Sequence, residues 1–371
     1  MNRFRILPPG CLLFLVTVAQ AILAGTPARA AEPLITLNRG DHISIIGNTL
    51  ADRMQHHGWL ETSLHTLHPE HDLVIRNLAF AGDELKLRPR EDNFGDPHQW
   101  LAHNQTDVVF CFFGYNEALK GAAGLDTFRK DLADVIEDMR SHKYNGETAP
   151  RLVFFSPIAH ENLHSPHLPD GTKNNANLKL YTDAMREVCG KLEVPFVDLF
   201  TPTHKLYAAA EKPQTMNGIH LLEHGNKALA AIICGQLFDG ATIDQDSPQF
   251  GRLREVVLDK SYHWFSRYRV VDGYNVFGGR SKLAWFGQSN ADVMIREMEI
   301  FDVKTANRDQ RIHAVARGGD YEVTDSNLPE ELGVRTNKPG PLDGGEFPYL
   351  GGEEAIGKMT VHKGMQINLF A

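Results

Sequence analysis

Ile43-Ser44-Ile45-Ile46-Gly47-Asn48-Thr49 reads as a short apolar strand that stops at a glycine, and a helix pattern runs on from Leu50 to Leu67. The same alternation recurs along the chain. Leu73–Asn77, Asp107–Phe113, Arg151–Ser156 and Val194–Asp198 are further short apolar runs bounded by polar, Gly or Pro residues. Such runs suit strands buried on both faces. Between them lie helix patterns at Leu125–His142, Asn175–Leu192 and Leu222–Phe238. In the first of these, Phe128, Leu132, Val135 and Met139 recur at steps of three and four, which makes one apolar stripe. Strands alternating with helices at this spacing predict a three-layer α/β domain on a parallel five-stranded sheet. In such sheets chemistry gathers beyond the C-terminal ends of the strands.

Four strand ends carry residues suited to acyl transfer. Thr49 follows Gly47 at a strand-to-helix turn, where a hydroxyl projects beside free helix N–H groups. Thr is also a favoured helix cap, so position alone leaves both roles open. Gly82, in Ala81-Gly82-Asp83, offers a backbone N–H, and Asn116, in Gly114-Tyr115-Asn116, offers an amide to an oxyanion. Each equally suits ordinary turn chemistry. His220 ends Asn217-Gly218-Ile219-His220 just before a helix and could act as a general base or be a plain loop residue.

Taken in order, these blocks resemble the SGNH/GDSL-type hydrolase (esterase) family. Gly47-Asn48-Thr49 stands where that family has Gly-Asp-Ser. Gly82 matches its glycine block, Gly114-Tyr115-Asn116 its Gly-x-Asn block, and Asn217-Gly218-Ile219-His220 its Asp-x-x-His block. The resemblance covers about residues 40–240. It implies a flavodoxin-like α/β/α fold and cleavage of ester bonds, with acylated carbohydrates among the expected substrates. It implies Thr49 as nucleophile, His220 as base, and Gly82 and Asn116 in the oxyanion hole. Two positions depart from the family pattern. The β-methyl of Thr49 restricts its side chain and crowds attack. Asn217 supplies no charge where a carboxylate would orient the imidazole. Glu223, three residues beyond His220, is expected on a helix and turned elsewhere. The alternative reading is a degenerate fold of this type kept as a binding or docking module.

The ends of the chain read differently. Arg3 and Arg5, an apolar run from Cys11 to Leu23, and Ala28-Arg29-Ala30 give residues 1–30 the layout of a signal peptide. The expectation is a periplasmic or secreted protein with no membrane attachment after cleavage. The net charge is −9, and residues 1–30 hold three arginines and no acid, so the remainder is more acidic still. That argues against a nucleic-acid partner or an anionic membrane surface. Cys111, Cys189 and Cys234 stand in apolar contexts and read as buried thiols. No dinucleotide fingerprint, haem-attachment motif or zinc ribbon occurs, so no cofactor and no metal are expected.

The expected organisation is a signal peptide at 1–30, the α/β domain at 38–245, a helical extension at 246–317 and an irregular linker or tail at 318–371. The extension shows helix patterns at Leu253–Tyr268 and Asp292–Asn307 around a Gly- and aromatic-rich loop, Gly273–Arg280, which could serve as a lid. Ile356–Leu369 suggests one or two strands, the beginning of a further domain. Residues from 250 onward resemble exported planctomycete-type proteins in which such a domain precedes a dehydrogenase-like β-propeller, which makes a propeller the expected partner. His56, His57, His65, His68 and His71 are expected to face solvent. Trp59, Trp100, Trp264 and Trp285 are expected in packing, and Asp198 in a structural role.

Overall fold

The computed structural model describes residues 33–270, 272–334 and 347–370; the expected signal peptide lies outside them. Strand β1 (His42–Gly47) leads into helix α1 (Thr49–Met54) and then α2 (Trp59–Leu67). β2 (Val74–Asn77), α3 (Pro97–His103), β3 (Val108–Phe112), a 3-10 segment (Glu117–Gly124) and α4 (Leu125–Ser141) follow. The domain closes with β4 (Arg151–Phe155), α5 (Thr172–Lys191), β5 (Phe196–Val197), α6 (Phe200–Ala209) and α7 (Glu223–Leu237). The five strands form one parallel sheet in the order β2-β1-β3-β4-β5. This is the flavodoxin-like order, and its crevice opens where β1 and β3 send the chain to opposite sides.

Period-two alternation builds two cores from the same strands. Val108, Phe110 and Phe112 of β3 face α1, α2 and α7, with Ile43, Ile45, Val153 and Phe155. Val109 and Cys111 face α3, α4 and α5, with Ile46, Leu152 and Phe154. The α4 stripe of Phe128, Leu132, Val135 and Met139 is buried in this second core. Cys111, Cys189 and Cys234 are buried free thiols.

Helix α8 (Pro248–Tyr268) and the 27-residue α10 (Asn290–Ala316) form the extension. Between them lie a four-residue helix, α9 (Gly273–Val276), and a small hairpin of β6 (Ala284–Trp285) and β7 (Gln288–Ser289). The extension covers the open edge of β2. Lys260 donates to the carbonyl of Ile75 at 3.0 Å, Trp264 Nε1 to that of Asn77 at 2.7 Å, and Tyr268 to that of Leu78 at 3.0 Å. His313 Nε2 reaches the carbonyl of Leu73 at 2.8 Å. Four residues of helix advance about 6 Å and two residues of strand about 6.6 Å. A helix step of four therefore keeps Lys260 and Trp264 in step with the alternate carbonyls of Ile75 and Asn77, and Tyr268 takes the Leu78 carbonyl just past the strand. Side chains do here what a sixth strand would do, which removes an edge open to foreign pairing. Buried ion pairs fasten the same surface: Lys260 with Glu61 at 2.7 Å, and Arg76 with Asp309 through two contacts.

The structure corrects several readings of the sequence. The helix expected over Leu50–Leu67 is two helices. Gly58 takes φ 69°, in the left-handed region, and turns the chain between them. The apolar pattern continues across that turn because α1 and α2 pack on the same core. His65 is buried rather than solvent-facing, lying between Glu61 and the ring of His313 under α10. The Gly273–Arg280 loop is no lid: Val276 and Phe277 insert into the core, and Phe277 meets Phe94 edge-on at 5.3 Å. The strands expected over Ile356–Leu369 do not form. The described tail, 347–370, holds only the short helix α11 (Gly352–Gly357), since a lone extended segment has no neighbour to take its backbone groups. Trp59, Trp100 and Trp264 are buried packing residues, while the side chain of Trp285 lies outside the described residues. Asp198 caps Thr201 and pairs with Arg186, a structural role.

Candidate active site

The crevice between the ends of β1 and β3 is a cleft of about 200 Å³. Thr49, Asn116 and His220 line it together, with Arg53, Tyr115, Ser156 and Asn226. Apart from Asn48, its remaining wall is apolar: Leu50, Phe112, Phe113, Pro157, Ile158, Ile219 and Leu221 contribute.

Thr49 reaches the cleft because of Gly47. A Cβ at Gly47 would come within 2.3 Å of the Phe112 carbonyl oxygen, so only glycine lets β1 pass β3 this closely. The N–H of Asn48 then donates to that carbonyl at 3.1 Å, and the Asn48 side chain accepts from the N–H of Leu50 at 3.3 Å. Thr49 is thus the first residue of α1, and Asn48 is the cap.

Asn116 is held by two neighbours. Its Nδ2 donates to the Asp83 carbonyl at 3.1 Å. Behind it the buried Glu117 carboxylate accepts the N–H of Gly114 and of Leu85, each at 2.9 Å. Burial pushes this carboxyl up, against the pull of the backbone donors. Gly82 itself is exposed on the turn after β2 and does not line the cleft. Its turn touches the site through Asp83, whose carboxylate is paired with Arg90 at 2.8 Å.

The His220 loop is clamped by a second buried carboxylate. Glu161 accepts from the N–H of Gln214 at 2.9 Å, and from the N–H and hydroxyl of Thr215 at 2.7 and 2.6 Å. Thr215 in turn accepts from the N–H of Gly218 at 2.9 Å, and the N–H of Glu161 donates to the Gly218 carbonyl at 2.9 Å. His160, one of three histidines in the loop after β4, is buried against Gly171 and Gly218. Glu223 pairs with Arg254 at 2.7 Å and gives nothing to His220.

The amide of Asn217 lies against the ring of His220. Its Oδ1 accepts the backbone N–H of His220 at 3.0 Å and that of Ile219 at 3.3 Å. That leaves Nδ2 beside Nδ1 of the ring at 2.9 Å, with Oδ1 at 3.1 Å. An oxygen already engaged by two backbone donors is the poorer partner. In this amide orientation the N–H donates to Nδ1, which puts the proton of a neutral ring on Nε2. Burial, and then the Arg53 charge, hold the imidazole below its ordinary range, so the ring is neutral near pH 7. Of the residues expected from the sequence, Thr49, Asn116 and His220 meet in this cleft, and Asn217 stands behind His220. Sequence reasoning missed Glu117, Glu161 and Arg53; of these only Arg53, one helical turn after Thr49, left a positional signal.

A model of the GDSL-like lipase/acylhydrolase family matches residues 40–228. A GDSL esterase/lipase of Arabidopsis thaliana, CPRD49, is 28% identical over 141 residues, which is 35% of this chain and 53% of the plant protein. The chain therefore spans about half the length of that curated relative. Two solved structures are also similar. A variant of Axe2, an acetyl xylan esterase from Geobacillus stearothermophilus, gives a TM-score of 0.45 at 11% identity, over 57% of this chain and 100% of that one. BT4096, a gut microbial diltiazem-metabolizing enzyme, gives 0.43 at 14% identity, over 56% of this chain and 48% of that one.

Proposed function

The chain belongs to the GDSL-like lipase/acylhydrolase family, and from that premise we propose that it hydrolyses short-chain esters, acylated carbohydrates among them, far more slowly than a Ser-His-Asp site would. The observation that carries this reading is the convergence of Thr49, Asn116 and His220 on one small cleft. Such a volume, below that of ordinary ligand pockets, suits a short acyl group. In the proposed reaction, Nε2 of His220 takes the proton of the Thr49 hydroxyl as its oxygen attacks the acyl carbonyl. The N–H of Thr49 and the amide of Asn116 hold the oxyanion. Collapse expels the alcohol, which takes the proton from His220, and water then releases the acid by the same route.

Asn217 works against the first step, because a ring protonated at Nε2 cannot accept there. An Asp-to-Asn change in this role lowers turnover by about 10⁴ in a serine protease. The same contact favours a second reading, a fold retained as a binding or docking module. The outward-facing tail, with Tyr349 and Phe370 almost fully exposed, suits a docking arm for a propeller-type partner. Export to the periplasm or beyond belongs to the proposal on the strength of residues 1–30, and a mature protein beginning at Ala31 would support it.

The deciding experiment is hydrolysis of acetyl esters, acetylated sugars included, by purified protein. Slow turnover that disappears in His220→Ala supports the enzyme. A silent parent that gains activity on Asn217→Asp with Thr49→Ser supports the binding module. Turnover unchanged in His220→Ala would exclude the mechanism.

A further inference from the structure

Ester hydrolysis leaves Arg53 without a task. It lines the cleft one turn after Thr49 on α1, half-buried, and its Nε is buried without a hydrogen-bond partner. The nearby acids are engaged elsewhere: Asp52 pairs with Arg269 at 2.8 Å and Glu223 with Arg254 at 2.7 Å. Among the described residues no acid forms an ion pair with Arg53. No carboxylate lines the cleft, although the chain as a whole is acidic. A half-buried guanidinium with no counter-charge is costly, and an anion relieves that cost.

The other polar groups of the cleft point to the same sign. In the orientation that sets Nδ2 of Asn217 against Nδ1 of His220 at 2.9 Å, the opposite ring nitrogen presents an N–H. The Thr49 hydroxyl and the Asn116 amide add further donors. Donors and one cation therefore stand against a wall built from Phe112, Ile158, Ile219 and Leu221. We infer that this cleft binds a short-chain monocarboxylate, its carboxylate on Arg53 and the Nε2–H of His220 and its alkyl tail on the apolar wall. The inference rests on the reading that Thr49, Asn116 and His220 face one ligand. The carboxylate is the acid product if the protein turns esters over, and a retained ligand if it does not.

Calorimetric titration of the full chain with butanoate, set against the uncharged isostere butanamide, tests this directly. Butanoate is expected to saturate, with butanamide at least about tenfold weaker. Arg53→Met should weaken butanoate at least about tenfold and leave butanamide and the melting temperature unchanged. Arg53→Gln serves the same purpose if the Met variant does not fold. Equal binding of acid and amide, no saturation by butanoate, or a folded Arg53 variant with undiminished butanoate affinity would each overturn the inference. Ester turnover is assayed separately. Binding without turnover removes only the hydrolase reading; turnover without a preference for butanoate removes only this one.

Discussion

Nδ2 of Asn217 lies 2.9 Å from Nδ1 of His220, while Oδ1 of the same amide takes the backbone N–H of His220 at 3.0 Å. A carboxylate at this position would have two acceptor oxygens, one for the backbone and one for the ring. An amide has only one. The backbone claims it, and the imidazole is left with a donor where the proposed reaction calls for an acceptor.

Asn217→Asp should reverse that polarity. The proton would move from Nε2 to Nδ1, and Nε2 would become free to accept from Thr49. Nitrogen NMR of His220 should show the change of tautomer. Ester turnover should rise by up to about 10⁴, the size of the loss when this carboxylate becomes an amide elsewhere. Adding Thr49→Ser should raise it further by removing the β-methyl from the line of attack. An unchanged tautomer would mean that Oδ1, not Nδ2, faces the ring.

The pH profile of turnover gives an independent check. A general base works when neutral, so activity falls as pH drops through its pKa in the free enzyme. Burial, then Arg53, lower the His220 value, so the acid limb of kcat/KM should lie below the ordinary imidazole range. Asp at 217 stabilises the imidazolium, so that variant's limb should move to higher pH. Arg53→Met removes a like charge and should move it in the same direction by less.

Glu161→Gln should loosen the His220 loop. The buried carboxylate accepts from the N–H of Gln214, the N–H of Thr215 and the Thr215 hydroxyl. A glutamine would turn an N–H₂ toward donors. Leaving a buried donor unsatisfied costs about 1–3 kcal/mol. Chemical denaturation should show a loss of that order, and ester or butanoate binding should weaken with it. A variant as stable as the parent would mean that the clamp carries no energy.

The sheet was legible in the sequence because strands buried on both faces leave continuous apolar runs, and α4, α5, α7, α8 and α10 each left a helix pattern. What escaped was set by tertiary contact. The α1–α2 break rests on the single left-handed Gly58, within a pattern that otherwise continues. β5 pairs over only two residues, fewer than its apolar run suggests. The meeting of Thr49, Asn116 and His220 in one cleft was legible because each lies at the end of a sheet strand or just before a helix on the same side of the sheet. Glu117 and Glu161 were not, because a buried carboxylate and a solvated one look alike in sequence. Gly82 lies exposed on the turn after β2, and that turn meets Asn116 through the Asp83 carbonyl. Lys260 was the one available hint of the covered edge, a cation in step with Trp264 and Tyr268.

Lys260 separates the two ways in which the extension is attached. Lys260 is 1% exposed, and its ammonium serves both the Glu61 carboxylate and the Ile75 carbonyl. Burial alone would raise the Glu61 carboxyl, but Lys260 and His65 hold it below the usual range, so it is charged. Lys260→Met therefore strands a buried anion and should cost about 3–5 kcal/mol. Lys260→Met with Glu61→Leu removes both charges and leaves only the edge carbonyl unpaired, a loss of about 1–3 kcal/mol. The double variant should thus be more stable than the single one, read as a higher urea midpoint at equal m-value. If the two unfold together, the ion pair contributes nothing, and the edge carbonyl alone explains the cost. If the double variant matches the parent, the carbonyl needs no donor, and Trp264 and Tyr268 hold the edge without Lys260.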